Sequence, residues 1–508
     1  MTTLGAHVSR HAWLLAVVAI ALACIFLRAL TESYAFTDDY AILFVADGMG
    51  SSLWFGDSVI GTVSASGRPL AGLLDEIAFS AAGTIDNLRY VRLVGIAGIV
   101  ALAVVLHWAL VRSRIAPAPA ALIAVLMCSL PPFLVYGSWA VLFNAPYAAL
   151  LGGGASLLAV AGLEGPRGLL VDRLIGSTAL LLAALLVYQP AAMFFWVFLA
   201  VALVGTVPHL SRAYRVTWAH AAIAGVALSL AFVVRQLAVH LQERAPNADD
   251  DVFTSDVAGK LSWFVREPLY WSLNLFEVKP SPWLAAFVAA VATVGIVLGL
   301  RHHRARTVPY VAIAIALVPL SLLPNLVVTG TTPTYRMMGS LSALVALYFC
   351  LGALGLWLAL RAWLRPRVND RSFLQLERLG LVASVGFVAA AVVFAARNVT
   401  NLIVEPQRAE LRTIRSQVAA LPAGTTKIGF VVIEWYHGFT RRYISDEFIP
   451  SSSKPWTAEP AVLLVLREQG RLPSGGSQPV VDQLPVDTTA FPTREPLIDM
   501  RTLGAQQR

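Results

Sequence analysis

Two adjacent carboxylates, in the sequence Thr37-Asp38-Asp39-Tyr40, are the side chains best suited to chemistry in this chain. Neighbouring like charges raise the pKa of a carboxyl group, and partial burial raises it further. A carboxylate with a raised pKa is a better general base near neutral pH. A solvent-exposed turn explains the same dipeptide, so Asp38 and Asp39 alone leave a catalytic and a structural interpretation open.

Two arginines stand beside apolar segments, where a phosphate group could be bound. Arg68 precedes Pro69 at the start of a helical stretch, and Arg336 follows Tyr335 in an otherwise neutral loop before a late apolar run. Guanidinium groups form forked hydrogen bonds with phosphate oxygens. The competing interpretation is a contact with lipid headgroups for Arg68 and a simple interfacial anchor for Arg336.

The composition indicates which elements position these side chains. The chain has 508 residues, of which 57% are hydrophobic and 13% charged, and its mean hydropathy is +0.69. Soluble proteins carry about 25% charged residues, so a soluble enzyme, a disordered chain and a fibrous protein are excluded. Basic residues outnumber acidic ones, 38 to 30, but the arginines are scattered between apolar segments. We therefore predict a polytopic membrane protein with no nucleic-acid partner.

Eleven apolar segments approach the length of about 20 residues that a bilayer-crossing helix needs. Asn144 and Pro146 weaken the fourth segment. Tyr188-Gln189-Pro190 is interpreted as a tight turn between the fifth and sixth, with a single bent, re-entrant element as the alternative. The segments are 11–30, 91–111, 117–136, 142–162, 173–189, 191–208, 217–239, 282–300, 308–329, 337–363 and 378–397. The predicted fold class is an all-α polytopic membrane protein.

The distribution of arginine predicts the orientation of these helices. Alternate loops are rich in arginine, whereas the short loops at 137–141 and near residue 190 contain none. Because cytoplasmic loops carry an excess of positive charge, we predict a cytoplasmic N-terminus and an extracytoplasmic C-terminus. The long segments 31–90, 240–281 and 398–508 then lie outside. Any chemistry is expected in the membrane or at its outer face.

Two of these external segments are expected to have structure of their own. In the first, 31–90, residues Ala41 to Phe55 are predicted to lie flat in the interface as an amphipathic helix. The tail, 398–508, is predicted to be a small α/β domain, distinct from the transmembrane domain 1–397. Its expected parts are a helix over 405–421, a strand over 427–434, a helix over 461–469 and an irregular, proline-containing end.

No metal site is predicted. Cys24, Cys128 and Cys350 lie in apolar segments, so neither a disulfide framework nor a cysteine-based metal site is expected. The acidic cluster Asp249-Asp250-Asp251 lacks the spacing and the glycine of a calcium loop. Assistance by a divalent cation stays open.

Together these motifs resemble a known arrangement. An acidic pair in the first external loop of a polytopic protein, followed by interfacial helices, resembles the GT-C superfamily of glycosyltransferases. Within it, the chain resembles the Gtr-type O-antigen glucosyltransferase family over residues 10–400, through Asp38-Asp39-Tyr40, Gly67-Arg68-Pro69-Leu70, Tyr188-Gln189 and Tyr335-Arg336. Members of that family usually have a tail of a different size, so the resemblance leaves the acceptor open.

The resemblance implies a hexosyltransferase of the bacterial cytoplasmic (inner) membrane. Such enzymes take a sugar, here expected to be a hexose such as glucose, from a polyprenyl-phosphate carrier and pass it to a cell-envelope glycan at the outer face of the lipid bilayer. Asp38 or Asp39 would deprotonate the acceptor hydroxyl, and Arg336 and Arg68 would stabilise the departing lipid phosphate. The implied sugar and acceptor pocket contains Tyr40, Tyr188, Gln189 and Tyr335.

Two other functions compete with this one. A transporter or flippase of lipid-linked glycans would need charges near the bilayer midplane and internal repeats, and the sequence gives no clear sign of either. A non-catalytic envelope-assembly protein would tolerate loss of Asp38 and Asp39. The acidic pair is therefore the feature that separates the three hypotheses.

Overall fold

A computed structural model of the chain describes residues 4–52, 57–164, 167–205, 210–241, 253–278, 280–299, 307–432, 446–454, 456–472, 478–484 and 496–501. Most of these residues are helical, and one small parallel sheet lies near the C-terminal end. The protein is a helical membrane protein with a small α/β element, which agrees with the predicted fold class at this level.

The helices and strands have the following bounds. The α-helices are α1 Leu4–Arg10, α2 Ala12–Ile25, α3 Leu27–Thr31, α4 Asp38–Ala46, α5 Val59–Ala65, α6 Pro69–Ala82, α7 Leu88–Arg112, α8 Pro117–Cys128, α9 Pro131–Ser138, α10 Ala145–Glu164, α11 Leu170–Ala192, α12 Phe194–Gly205, α13 Leu210–Leu241, α14 Val257–Phe264, α15 Tyr270–Ser272, α16 Pro282–Gly299, α17 Thr307–Leu320, α18 Leu323–Val327, α19 Gly339–Leu364, α20 Asp370–Asn398, α21 Glu405–Ala420 and α22 Ala458–Glu468. The strands are β1 Lys427–Val431, β2 Val480–Leu484 and β3 Leu497–Asp499.

Six helical stretches are long and apolar enough to cross a membrane: Leu88–Arg112, Ala140–Glu164, Leu170–Ala192, Ser211–Leu241, Gly339–Leu364 and Asp370–Ala420. A seventh crossing results if α8 and α9, which meet at a bend of 66°, form one broken span. Shorter apolar helices cover the other predicted segments, at Ala12–Ile25, Phe194–Val204, Pro282–Val297 and Val308–Leu320. Six or seven membrane-length helices are thus present among the described residues, and a count of eleven crossings stays a prediction.

The sequence Tyr188-Gln189-Pro190 forms a kink inside α11, so the predicted tight turn at this position is wrong. The backbone of Tyr188 is extended, with φ −156° and ψ 102°, and the helix resumes as far as Ala192 before α12 begins at Phe194. Pro190 has no N–H to donate to the preceding turn, which favours a kink at this point. The kink interrupts the backbone hydrogen bonds of α11 at a point beside the first external segment.

The first external segment folds against the membrane helices as three short helices, α4, α5 and α6. In α4 every residue from Asp39 to Val45 is buried. The prediction that Ala41 to Phe55 lies flat in the interface is therefore wrong for α4, while Trp54 and Phe55 lie outside the described residues. Helix α6 begins where the sequence predicted a second helical stretch, and it exposes an apolar stripe of Leu70, Leu73, Leu74 and Ile77.

The tail contains a three-stranded parallel sheet with strand order β2-β1-β3. The predicted helix, strand and helix are present as α21, β1 and α22, although Ile433 and Glu434 lie outside the described residues. The end of the chain was expected to be irregular, but β2 and β3 lie there and flank β1. Both strands are short, at five and three residues, so their hydrophobic period is hard to detect.

The tail and the first external segment share one hydrophobic core. Val462 and Leu466 of α22 belong to the same cluster of buried side chains as Leu43 of α4 and Phe79 of α6. Helix α20 also continues through a π-helical stretch, Val399–Val404, directly into α21. The described residues of the tail are therefore packed against segment 31–90, and a domain boundary at residue 397 stays a prediction.

Candidate functional site

A cavity of about 1080 Å³ lies between the first external segment, the kink of α11, helix α13 and the turn at Tyr335–Met337. Five of its lining residues belong to the site expected from sequence: Asp38, Arg68, Tyr188, Gln189 and Arg336. Asp75, Asn144 and Arg235 add to the polar part of its wall. Residues that are far apart in the chain therefore meet in one space.

Asp38 borders the cavity at the start of α4, and the tail holds it there. The indole nitrogen of Trp456 donates to Oδ1 of Asp38 at 2.9 Å. Thr37, the preceding residue, has φ +26°, a strained conformation for a residue with a side chain. Its backbone N–H donates to Oγ of Ser451 at 2.8 Å. The contacts with Trp456 and Ser451 together fix the backbone and the carboxylate at this position.

Asp39 points the other way and is completely buried. Its Oδ2 accepts from the N–H of Phe36 at 3.0 Å, and its Oδ1 accepts from the N–H of Val141 at 2.9 Å. Burial raises the pKa of Asp39 to about 7, although the charge of Arg92 and the two N–H groups oppose the rise. Asp39 is not among the described residues that line the cavity. The acidic pair is thus divided between one group at the cavity and one that braces the loop.

Arg92, near the start of α7, organises the approach to this pair. The side chain is completely buried and donates to the carbonyls of Ala29 at 2.9 Å, Tyr34 at 3.1 Å and Glu32 at 3.4 Å. Its guanidinium carbon also lies 3.9 Å from the centroid of the Tyr34 ring. These bonds satisfy the carbonyls at the end of α3 and hold the extended segment that leads to Asp38. In the sequence, the sign of this role is that an arginine stands inside an apolar run.

Arg68 stands over the kink of α11. Its guanidinium carbon lies 5.3 Å from the centroid of the Tyr188 ring, and its buried Nε has no hydrogen-bond partner among the described residues. The neighbouring Gly67 has φ +79°, and its carbonyl accepts from Nε2 of Gln189 at 2.9 Å. A side chain at this glycine would also meet Cδ of Arg235 at 3.0 Å. The Gly67 turn therefore lies against both the kink of α11 and the side chain of Arg235.

Arg336 and Arg68 both line the cavity, and Tyr188 contacts both residues. The carbonyl of Arg336 accepts from the hydroxyl of Tyr188 at 3.2 Å and from that of Tyr136 at 2.6 Å. Its guanidinium carbon is 4.9 Å from the centroid of the Trp139 ring. Tyr188 thus presents its ring to one arginine and its hydroxyl to the backbone of the other.

Glu447 of the tail holds the turn that carries Arg336. Its Oε1 accepts from the backbone nitrogen of Arg336 at 2.6 Å, and its Oε2 accepts from that of Tyr335 at 2.7 Å. The residue is 1% exposed. A buried carboxylate that receives two N–H groups on one turn fixes that turn strongly. Sequence reasoning missed this role, because nothing local to Glu447 indicates a contact more than a hundred residues away.

Tyr40 and Tyr335 lie behind the wall of the cavity and are not among its described lining residues. Tyr335 donates its hydroxyl to the carbonyl of Val278 at 2.9 Å and packs its ring near Trp271 and Phe448. Tyr40 is fully buried in the core shared by α4 and the tail. The structure therefore does not bring Tyr40 and Tyr335 to this cavity, whereas Tyr188 and Gln189 border it.

Asp75 is a further carboxyl group in the cavity wall that sequence reasoning missed. It is 2% exposed, and its Oδ1 accepts from Nδ2 of Asn144 at 3.1 Å. Burial raises the pKa of Asp75 well above its ordinary value, although the charge of Arg68 opposes the rise. The spacing from Arg68 to Asp75 places both on one helical face, and this is the signal that could have found it.

Most of the remaining cavity wall is apolar, with Thr62, Ser66, Ser229 and Asn325 as further polar residues. Leu228 and Phe232 of α13 line it, together with Phe253 and with Leu323 and Val327 of α18. Helix α13 is a membrane-length helix whose outward side chains are largely exposed. The cavity therefore joins a charged region near Asp38 to an apolar region beside a membrane helix.

No group of three or more histidine, cysteine, aspartate or glutamate side chains is placed to hold a metal ion in the described part of the chain. The acidic cluster Asp249-Asp250-Asp251 lies outside the described residues. Three cysteines are free, two of them buried. No metal ligand set is assigned from this geometry.

No protein-family model and no curated protein matches this sequence.

Proposed function

We propose that the protein is an integral membrane glycosyltransferase that moves a sugar from a polyprenyl-phosphate carrier to a cell-envelope glycan. One observation carries this proposal: a carboxylate, Asp38, and two arginines, Arg68 and Arg336, border a single cavity whose other side is mostly apolar. A substrate with a sugar, a phosphate and a long hydrocarbon chain requires those three kinds of surface together.

The arginines are suited to the phosphate. Guanidinium groups bind phosphate oxygens through forked hydrogen bonds, and the Nε of Arg68 has no partner among the described residues. A buried donor without a partner is unfavourable by about 1–3 kcal/mol. Because this Nε is buried, the Arg68 side chain must rotate for an anionic ligand between Arg68 and Arg336 to reach it and remove that penalty.

The apolar part of the cavity is suited to the polyprenyl chain. On α13 it includes Leu228, Phe232 and Val233, beside side chains that are exposed to the surroundings, while Arg235 of the same helix borders the cavity as a polar residue. Burial of apolar surface is favourable by about 25 cal/mol per Å². A carrier lipid could therefore reach the arginines with its phosphate while its chain remains beside the membrane helix.

The proposed reaction needs one base and one stabilised leaving group. The acceptor hydroxyl transfers its proton to Asp38 while its oxygen forms a bond to the anomeric carbon of the sugar. The bond between that carbon and the phosphate oxygen breaks, and its electron pair leaves with the polyprenyl phosphate. Arg68 and Arg336 lower the barrier because they face the charge that develops on the phosphate.

The remaining residues of the predicted site receive supporting roles in this proposal. Asp39 braces the loop through the N–H groups of Phe36 and Val141, so Asp38 is assigned as the base. Tyr188 and Gln189 are assigned to the cavity wall, where they contact the sugar or the phosphate. Tyr40 and Tyr335 are assigned to packing.

The proposed setting is the bacterial cytoplasmic (inner) membrane, with the N-terminus in the cytoplasm and the site at the outer face. The positive-inside bias of the arginines supports this orientation. The proposed partners are the lipid-linked sugar, the glycan acceptor and the bilayer. The hexose, for which glucose is the first candidate, follows from the family resemblance.

The test is mass spectrometry of envelope glycans from cells that lack the gene and from the same cells complemented with the wild type or with Asp38→Asn. We expect a hexose decoration that the wild type restores and the variant does not, at equal protein levels. Full restoration by Asp38→Asn would favour the transporter or the non-catalytic assembly protein.

A further inference from the structure

Asp75 and Asn144 form a polar pair in the wall of the cavity. Asp75 lies in α6, Asn144 immediately precedes α10, and each is 2% exposed. Both border the cavity. The Nδ2 of Asn144 donates to Oδ1 of Asp75 at 3.1 Å. This hydrogen bond fixes the orientation of both side-chain planes, because it uses one specified atom of each.

The pair keeps two unused hydrogen-bonding atoms. Oδ2 of Asp75 and Oδ1 of Asn144 have no hydrogen-bond partner among the described residues, and neither is sealed from the cavity. Buried polar groups that lack partners are unfavourable. Two such atoms beside one cavity indicate a ligand or ordered water that pairs with both.

The groups around Asp75 favour its neutral form. Burial raises its pKa well above the ordinary value, the charges of Asp39 and Asp38 act in the same direction, and Arg68 and the Asn144 hydrogen bond oppose them. A neutral carboxylic acid carries an O–H donor that a carboxylate lacks. With Asp75 protonated on Oδ2, the pair presents one donor and one acceptor.

We propose that Asp75 and Asn144 bind a hydroxyl group of the sugar that occupies this cavity. A hydroxyl both donates and accepts, so it can receive the O–H of Asp75 and donate to Oδ1 of Asn144. This assignment rests on the proposed function, because the ligand is the sugar of the carrier. It gives Asp75 a binding role, separate from the base assigned at Asp38.

The first test labels carboxyl groups with dicyclohexylcarbodiimide, which reacts with protonated carboxyls in apolar surroundings. The full-length protein in lipid nanodiscs is labelled at neutral pH, and tandem mass spectrometry identifies the modified residues. We expect a label on Asp75 and none on the exposed control Asp172. An Asp75 that becomes labelled only in acid would overturn the proposal because the residue is then ionised at neutral pH, and one that stays unlabelled at both pH values would overturn it because no ligand reaches the pair.

The second test asks whether a sugar covers the pair. Octyl glucoside, below its micellar concentration, is expected to slow the labelling of Asp75 about tenfold, the change that hydrogen bonds to a buried pair support. Tetraethylene glycol monooctyl ether has the same alkyl chain without a sugar ring, and it is expected to leave the labelling rate unchanged. Equal protection by the two compounds would contradict recognition of a sugar hydroxyl.

Two substitutions distinguish a hydrogen-bond donor from an ionised group. Asp75→Asn keeps a donor at this position, whereas Asp75→Ala removes it. We expect affinity for octyl glucoside, followed by tryptophan fluorescence, to fall about tenfold more in Asp75→Ala than in Asp75→Asn. Equal losses in both variants, or no loss in either, would contradict the proposal.

These results are separable from the outcome of the proposed function. If no sugar transfer is found in the wild type, the glycosyltransferase proposal fails, while labelling and protection of Asp75 still report whether the pair binds a sugar. If transfer is found but octyl glucoside gives no selective protection, the assignment of Asp75 and Asn144 fails alone.

Discussion

The indole nitrogen of Trp456 donates a hydrogen bond to Oδ1 of Asp38 over 2.9 Å, so the tail reaches the carboxylate that we propose as the base. A few residues earlier, Glu447 accepts from the backbone of Arg336. The same stretch of tail therefore holds the acidic side and the basic side of the cavity. The tail is thus a structural part of the candidate site.

Removal of the Trp456 hydrogen bond should slow transfer without unfolding the protein. In Trp456→Phe a ring remains but the N–H is lost, and a bond to a charged group contributes about 1.5–3 kcal/mol. We expect sugar transfer to fall roughly tenfold to a hundredfold. Transfer is measured by mass spectrometry of envelope glycans at matched protein levels. Trp283→Phe, at a residue that is 87% exposed, is the control, and an equal effect of both substitutions would contradict the assigned role.

Glu447→Gln should weaken the turn that carries Arg336. Glutamine has one acceptor oxygen in place of two, so one N–H of the Tyr335–Arg336 turn faces an NH₂ group and loses its bond. We expect the thermal midpoint to fall and the donor concentration for half-maximal transfer to rise about tenfold. The exposed Glu459→Gln serves as the matched control. Unchanged donor dependence in Glu447→Gln would argue against this role of the tail.

The two arginines should require their planar geometry as well as their charge. Lysine keeps the charge but cannot form forked hydrogen bonds with a phosphate. Arg68→Lys and Arg336→Lys are each expected to raise the half-maximal concentration of a polyprenyl-phosphate-linked glucose about tenfold in nanodisc assays. Arg361→Lys, at an arginine paired with Glu377, should have no effect. If lysine replaces both arginines without loss, phosphate recognition at this site is contradicted.

The buried Asp39 should make stability depend on pH. Its pKa in the folded protein is about 7, against about 4 in an unfolded chain. A raised pKa stabilises the protonated folded state, so this contribution is full below about pH 4 and is lost as the pH rises through about 7. The wild type should therefore lose thermal stability between about pH 5 and about pH 8.

The change of the thermal midpoint with pH, more than the midpoint at a single pH, identifies Asp39 as the titrating group. Asp39→Asn should have a lower midpoint, because an amide accepts only one of the two N–H groups that Asp39 receives, but a smaller drop between the two pH values. Asp172→Asn changes an exposed residue and should keep the wild-type slope. Identical slopes in the wild type and in Asp39→Asn would exclude the assigned titration.

Hydrophobicity made the helical membrane fold and the main tail elements predictable. Apolar runs such as 91–111 and 337–363 can be recognised as helices without knowledge of the rest of the fold. A helix is the one local structure that forms all its backbone hydrogen bonds within the segment, as lipid requires. Short motifs predict that Asp38, Arg68, Tyr188, Gln189 and Arg336 belong to one site, and the structure shows that these five residues border one cavity.

Other parts of the site depend on tertiary contacts that no local pattern carries. The opposite orientations of Asp38 and Asp39 follow from the nearby N–H of Phe36 and, above all, from Val141 and Trp456, which come from two distant segments. Asp75 sits beside Glu76 in a short helix that resembles a surface helix in sequence. Its burial arises when α4, α5, α7 and α11 pack against α6 and Asn144 bonds to it.

The most direct test of the central claim is native mass spectrometry of the purified Asp38→Asn variant, with and without replacement of Arg68 and Arg336 by alanine. Asp38→Asn should retain a polyprenyl-phosphate-linked hexose from the membrane, because binding is intact while the base is missing. The additional alanine substitutions should abolish that extra mass. A variant that carries no such lipid, or one whose lipid persists without both arginines, would contradict a site in which Asp38 and the two arginines act on one substrate.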